Sequence, residues 1–190
     1  MMQTIDNTHY SKADFVNHSF EQGEYESCTF DACDFSNADF SESKFIDCTF
    51  INCNLSMVKL VQAMFQDTHF KGCKMLGLQF DSCKDFGLSF TFENCTLDHA
   101  TFFRKKIKKT LYRNSHLHNV DFTECDLTAA TFDHCDLFNT KFEHTILEKA
   151  DFRTSTNYVI DPELNKVRKA RFSLPGVISL LDKYDLDIEK

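Results

Sequence analysis

Large apolar side chains recur at every fifth residue of this chain, a period that neither a helix, at about 3.6, nor a strand, at 2, places on one face. Stepping by five from Tyr10 through Phe15, Phe20 and Tyr25 to Phe80 meets fifteen positions, all large and apolar. A second run, two residues out of phase, steps from Phe92 to Phe152 and adds thirteen more. Together they use 16 of the 21 Phe, so the aromatic excess belongs to a repeat rather than to an irregular globular core. The residue two before each large one is small at 24 of the 28 sites, as at Cys28, Cys33, Ala38, Ser43, Cys48 and Cys53. Eight of the nine Cys occupy this slot, and Cys83 continues the first phase by one step, so volume explains their placement.

A chain that turns a corner every five residues satisfies this pattern, sending one large and one small side chain to an axial core and three outward. Four corners close a square coil of about twenty residues, and stacked coils pair their backbones about 4.8 Å apart, as parallel strands do. Each coil touches only its neighbours, so both ends need caps. With Gly 5 and Pro 2, the usual turn residues are too few for the corners, which ordinary residues held by stacking must form.

The segments SKADF, DACDFSNADF, FTECDLTAATF and LEKADF resemble the A(D/N)LXX signature of pentapeptide-repeat proteins over about residues 8–152. The resemblance implies an all-β fold, a right-handed quadrilateral β-helix with a short C-terminal capping α-helix. It divides the chain into an N-terminal extension (1–7), the β-helix (8–152) with a register break at 81–91, and a C-terminal cap and dimerisation tail (153–190). The stretch IDPELNKVRKARFSLPGVISLL is similar to the ending of the quinolone-resistance (Qnr-type) and microcin-immunity types. In that subgroup such an ending implies a two-fold dimer, here through Val177, Ile178, Leu181, Tyr184, Leu186 and Ile188. Ser173 reads as the helix N-cap and Pro175 as a first-turn residue, and the alternating Tyr184, Leu186 and Ile188 have no evident partner within the chain.

Two departures from the repeat stand out. In DSCKDFGLSFTF the phase shifts by two residues and Asp85 falls on a core site, so the chain there bulges outward or kinks the rod. Phe86, Gly87 and Leu88 then form an exposed apolar tip that binds a partner, or Phe86 tucks back into the core. In RKKIKK, residues 104–109, Ile107 keeps the core phase, most of the lysines point outward to complement acidic neighbours, and Lys105 in the small slot marks a local distortion.

Charge confines the function classes. The net charge is −8, and residues 1–100 carry six basic against fifteen acidic side chains, an excess that argues against a general nucleic-acid or membrane binder. Asp14 and Asp34 align twenty apart, with Glu21, Glu24, Asp31, Asp39, Glu42 and Asp47 on nearby outward positions. Such an acidic rod end imitates the phosphate surface of DNA toward a basic channel, or else is a solvated face. With the family resemblance, the first reading implies a partner such as DNA gyrase or topoisomerase IV, engaged in protection or immunity; the alternative is a general protein-interaction scaffold without DNA mimicry. The quinolone-resistance members carry longer projecting loops than the single break at 81–91, a departure that counts against drug protection and leaves gyrase binding or microcin-type immunity open.

No nucleotide-binding or hydrolase motif occurs, and a rod that fills its own axis leaves no deep pocket, so a non-enzyme without cofactors is expected. No metal site is expected either. The Cys are spaced by five and face the axis, His18 sits in an inward slot, and His116, His118, His134 and His144 have no aligned thiolate or carboxylate set. The start of the chain lacks a signal peptide's pattern and no stretch is long and apolar enough to span a membrane, so a cytoplasmic protein is expected.

Overall fold

The computed structural model describes residues 3–13, 15 and 20–188. The expectations for Asp14 and His18 lie outside the described residues. Among the described residues eleven short strands follow one another: β1 (Gln3–Asp6), β2 (His9–Ser11), β3 (Gly23–Glu26), β4 (Thr29–Asp31), β5 (Lys44–Ile46), β6 (Thr49–Ile51), β7 (Met64–Gln66), β8 (Thr68–Lys71), β9 (Phe90–Glu93), β10 (Leu111–Arg113) and β11 (Thr131–Asp133). They form two parallel sheets, β1-β3-β5-β7 and β2-β4-β6-β8-β9-β10-β11, on two sides of the coil. Parallel bridges such as Asp34↔Asn54 and Asp39↔Lys59 continue the ladder on the other two sides. The partner is twenty residues away throughout the first phase, as in Phe30↔Phe50.

The corners form as the scarcity of glycine requires. At most corners the residue two after the large one lies at positive φ, and it is more often a residue such as Ala32, Asn37, Glu42, Met57, Gln62 or Arg104 than glycine. Corners such as those at Asn37 and Glu42 close when the small residue's N–H donates to the large residue's carbonyl, as Ala38 N does to Phe35 O at 2.8 Å. Positive φ at the third turn residue is the type II arrangement, which ordinarily asks for Gly or Asn. The corner N–H groups donate to the next coil, Asn37 to Ser56 O and Glu42 to Val61 O, so the stack holds each corner in place.

Inside, the large residues form columns. On one side nine rings run from Tyr10 through Phe30, Phe50, Phe70, Phe92, Tyr112, Phe132 and Phe152 to Phe172, with centroids 4.7–5.5 Å apart and planes within 16° of parallel. Volume is only part of the reason for the small slot. Cys48 Sγ donates to Tyr25 O at 3.3 Å, Cys53 Sγ to Phe30 O at 3.3 Å and Ser155 Oγ to Phe132 O at 2.7 Å, each reaching the coil before. A small residue with an S–H or O–H donor therefore both fits and ties adjacent coils.

The coil does not end at Phe152. Bridges Ile146↔Lys166 and Asp151↔Arg171 continue the ladder, Phe172 stacks on Phe152, and Tyr158 and Ile160 are buried. At the other end, Gln3 pairs with Gly23, so residues 3–6 of the expected extension already belong to the first sheet. Beyond Phe172 comes α1 (Leu174–Val177), capped by Ser173 Oγ accepting from Gly176 N, and a 3-10 helix over Ile178–Tyr184. Val167, Phe172 and Leu180 pack on the end of the core, so the segment caps the rod through Leu180. No helix among the described residues is long and apolar enough to cross a membrane.

Candidate functional site

The two-residue phase shift is confined to one side of the coil. Lys84 N still bonds Ala63 O, twenty-one residues back, whereas Thr68 pairs with Phe90, twenty-two away. The extra residues therefore lie between Lys84 and Phe90. On the other three sides the ladder resumes at once, through Phe70↔Phe92, Lys74↔Thr96 and Gln79↔Thr101. Asp85 swings out of the core site it would have held, and Phe86 stands 80% exposed beside it. The expected tip is thus formed by Phe86 and not, as its neighbour in sequence suggested, by Leu88 as well. Leu88 is 8% exposed, because the bulge returns it inward, where with Phe90 it refills the column above Phe65. Ser89 fastens the bulge to the preceding coil, accepting from Asp67 N at 2.6 Å and donating to its carboxylate at 3.0 Å.

Lys105 is the counterpart of this break on the next coil. Its buried Nζ donates to Cys83 O at 2.7 Å and to Asp85 Oδ1 at 2.6 Å. Two other members of the basic run serve acids of the following coil, Arg104 on Glu124 at 2.8 Å and Lys108 on Asp126 at 3.1 Å.

The acidic residues of the N-terminal half encircle the rod. Glu24 lies in β3 and Asp31 closes β4 on the adjacent side, Asp34 and Asp39 sit in the bridges of the other two sides, and Glu42 and Asp47 occupy corners. Asp34 and Asp39 also have local work. Asp34 accepts from Ser36 N at 2.9 Å and Ser36 Oγ at 2.7 Å, and Asp39 from Ser41 N at 2.9 Å. The bonds from Ser41, side chain and backbone, hold the Asp39 carboxyl below the usual carboxylate range. These residues thus supply the Asx turn that the D/N of the repeat favours. Among the described residues, Glu24 alone of the six has an ion-pair partner, Lys44 at 2.7 Å. Farther along, Glu124, Asp126, Asp133, Asp151 and Asp161 are all paired, and by count the excess of acids over bases belongs to residues 1–100.

At the C-terminal end Val177, Ile178, Leu181, Tyr184, Leu186 and Ile188 are all exposed in the single chain. Tyr184 does have an intrachain partner: its hydroxyl donates to Glu163 at 2.6 Å, beside Lys183, which bridges Asp161 at 2.8 Å and Glu163 at 2.6 Å. These bonds fasten the 3-10 segment to the last coil and leave its apolar side outward.

One set of side chains escaped the sequence reading. Asp136 lies one coil after His116 in bridge register, and His118 Nε2 is 2.8 Å from Asp136 Oδ2. The signal that finds it is the spacing of twenty between His116 and Asp136, not a local motif.

The model for a pentapeptide repeat region matches residues 23–102, and that for pentapeptide repeats matches residues 113–155, together more than half of the chain. The chain belongs to the pentapeptide-repeat family. Its right-handed quadrilateral β-helix is shared with two trypsin-treated variants of QnrB1, a plasmid-mediated fluoroquinolone resistance protein. One superimposes with a TM-score of 0.76 at 14% identity, covering 99% of this chain and 92% of the other. The second gives 0.61 at 15% identity, covering 99% and 98%. At such identities the likeness establishes the fold. No curated protein sequence matches the chain significantly. In this pentapeptide-repeat protein the axis is filled, and the acid-rich coils, the Phe86 tip and the apolar C-terminal segment lie on the surface.

Proposed function

We propose that this pentapeptide-repeat protein is a DNA-mimic binder of a type II topoisomerase, DNA gyrase or topoisomerase IV, acting in protection or immunity without a covalent step. The observation that carries the proposal is the ring of acids around the N-terminal coils, of which only Glu24 is ion-paired among the described residues. A rod presenting unpaired carboxylates on three sides and at its corners offers a basic DNA channel the charge it is built to receive. The fold shared with a fluoroquinolone resistance protein supports the same reading. The exposed Val177, Ile178, Leu181, Tyr184, Leu186 and Ile188 join two rods end to end, which doubles the length available to a two-fold enzyme.

The test is a gyrase supercoiling assay at low and high salt with the triple variant Asp31→Asn, Asp34→Asn, Asp39→Asn as comparison. Asparagine keeps the acceptor that the turns at Asp34 and Asp39 use and removes the charge. The wild type should alter supercoiling, or relieve its inhibition, at low salt, with the effect fading as salt rises; the variant should need about tenfold more protein. No effect of the wild type at low salt would end the proposal.

A second reading, a protein-interaction scaffold without DNA mimicry, is favoured by Phe86 itself, which lines a groove with the exposed Val61. Under that reading Phe86→Ala abolishes partner capture and the triple Asn variant leaves it intact.

A further inference from the structure

We infer that His116, His118 and Asp136 form a binding site for a divalent transition-metal ion of the zinc class. The ligating atoms of the three side chains lie within 4.8 Å of one another. They are gathered by the fold and not by chance rotamers. Leu117 is buried in the core, which turns its neighbours His116 and His118 outward on the same side of the coil, and the parallel register sets Asp136 directly over His116. The imidazole rings stand 5.6 Å apart and nearly perpendicular.

The carboxylate is held in place before any ion arrives. Asp136 Oδ1 accepts from Asn157 Nδ2 at 2.8 Å and from Phe138 N at 3.2 Å, which fixes the group and leaves Oδ2 for the histidines. Partners of this kind orient metal ligands in general. His118 is steadied through its backbone N–H, which donates to Asp98 Oδ1 at 3.1 Å.

A second observation points to a missing ligand. His118 Nε2 is buried, yet it makes no hydrogen bond. The Asp136 oxygen at 2.8 Å meets the distance but not the direction that a ring N–H requires. A buried ring nitrogen with no hydrogen-bond partner, 2.8 Å from a carboxylate oxygen, is accounted for by an ion that both groups ligate. Tetrahedral bonds of about 2.0–2.1 Å put ligand atoms roughly 3.3 Å apart. The His118–Asp136 pair would open by about half an ångström and His116 would close by ring rotation, both within side-chain freedom. Two imidazoles and a carboxylate suit zinc and its neighbours rather than calcium or magnesium, and three protein ligands leave one position for water.

Isothermal titration of the full chain, stripped with chelator, with zinc chloride tests this. One zinc should bind per chain, and His116→Ala, His118→Ala and Asp136→Asn should each weaken binding at least about tenfold, while His144→Ala on another part of the coil leaves it unchanged. Far-UV circular dichroism checks that each variant keeps the β-helix. Cobalt(II) gives a second readout, ligand-field bands without a thiolate charge-transfer band, abolished by Asp136→Asn. Failure of the wild type to bind, binding that survives the three substitutions, or a thiolate band showing that cysteines hold the metal would each overturn the inference.

Discussion

Removing one ring from the axial column tests whether stacked aromatics hold the rod together. Phe132 is buried, flanked in parallel by Tyr112 at 4.9 Å and Phe152 at 4.7 Å, and met edge-on by Phe122 at 6.0 Å and Phe142 at 6.2 Å. Phe132→Leu keeps most of the volume and copies a residue found at other large sites, such as Leu117 and Leu127. It forfeits two stacked and two edge-on pairs, about 2 kcal/mol at the lower end of about 0.5–1.5 kcal/mol each. Phe132→Ala adds the lost burial and a cavity in a side wall that neighbouring coils cannot close, for about 4 kcal/mol. For a domain of this size each kcal/mol moves Tm by about 2–4 °C, giving drops of roughly 6 °C and 12 °C. Because each coil touches only its neighbours, the alanine variant should also lose cooperativity, seen as a smaller urea m-value as the two ends unfold separately. Thermal and urea unfolding followed by circular dichroism provide the measurement, with the exposed Phe138→Ala as reference, expected within about 0.5 kcal/mol of wild type. If Phe132→Ala falls no further than Phe138→Ala, the column is not what stabilises the rod.

Other expectations are equally direct. Gly72→Ala places a methyl 2.5 Å from Asn52 Oδ1 at φ +63°, and should cost of order 1–3 kcal/mol in urea unfolding. Lys105→Met, which leaves Cys83 O without its donor, should cost about 1–3 kcal/mol. Asp85→Asn, at a carboxylate 75% exposed, should cost little. Burial pushes the thiols of Cys48, Cys83, Cys125 and Cys135 up to about 12, so the folded protein should resist iodoacetamide at pH 8 while all nine cysteines react in urea. The sign of the linkage follows: unfolded thiols ionise near pH 8.5 and folded ones do not, so stability from this source is intact below about pH 8.5 and declines as pH rises toward 12. Deleting residues 184–190 should convert a dimer to a monomer in light scattering; an unchanged mass would refute the role proposed for the tail.

The axial ladder was legible because it depends on local spacing alone: each large and small residue declares its place without knowledge of the next coil. Features set by register twenty residues away were not. His116, His118 and Asp136 meet only across a coil boundary, so a reading that sought nearby ligand spacings passed over them. Leu88 looked exposed because the bulge's return path is a matter of backbone geometry, not of pattern. The last coil was hidden by Asn157 and Pro162, which fall on two large sites, although Val167 and Phe172 keep the phase beyond them. Tyr158 and Ile160 fill the core there instead. The acids among the described residues do not gather on one face, because strands, bridges and corners distribute them around the coil.

The ring column passes from Phe70 to Phe92 in step, although the chain between them is two residues longer than a coil. Lengthening one side of the square therefore does not propagate to the other three. Each corner is in effect a port, where sequence can be added and carried at a fixed height on the rod while the interior registers nothing. Variation in such ports is uncoupled from the integrity of the scaffold. The segment following Lys84 is accordingly the place where a recognition loop of a different length could be grafted and the remaining ladder left as it stands.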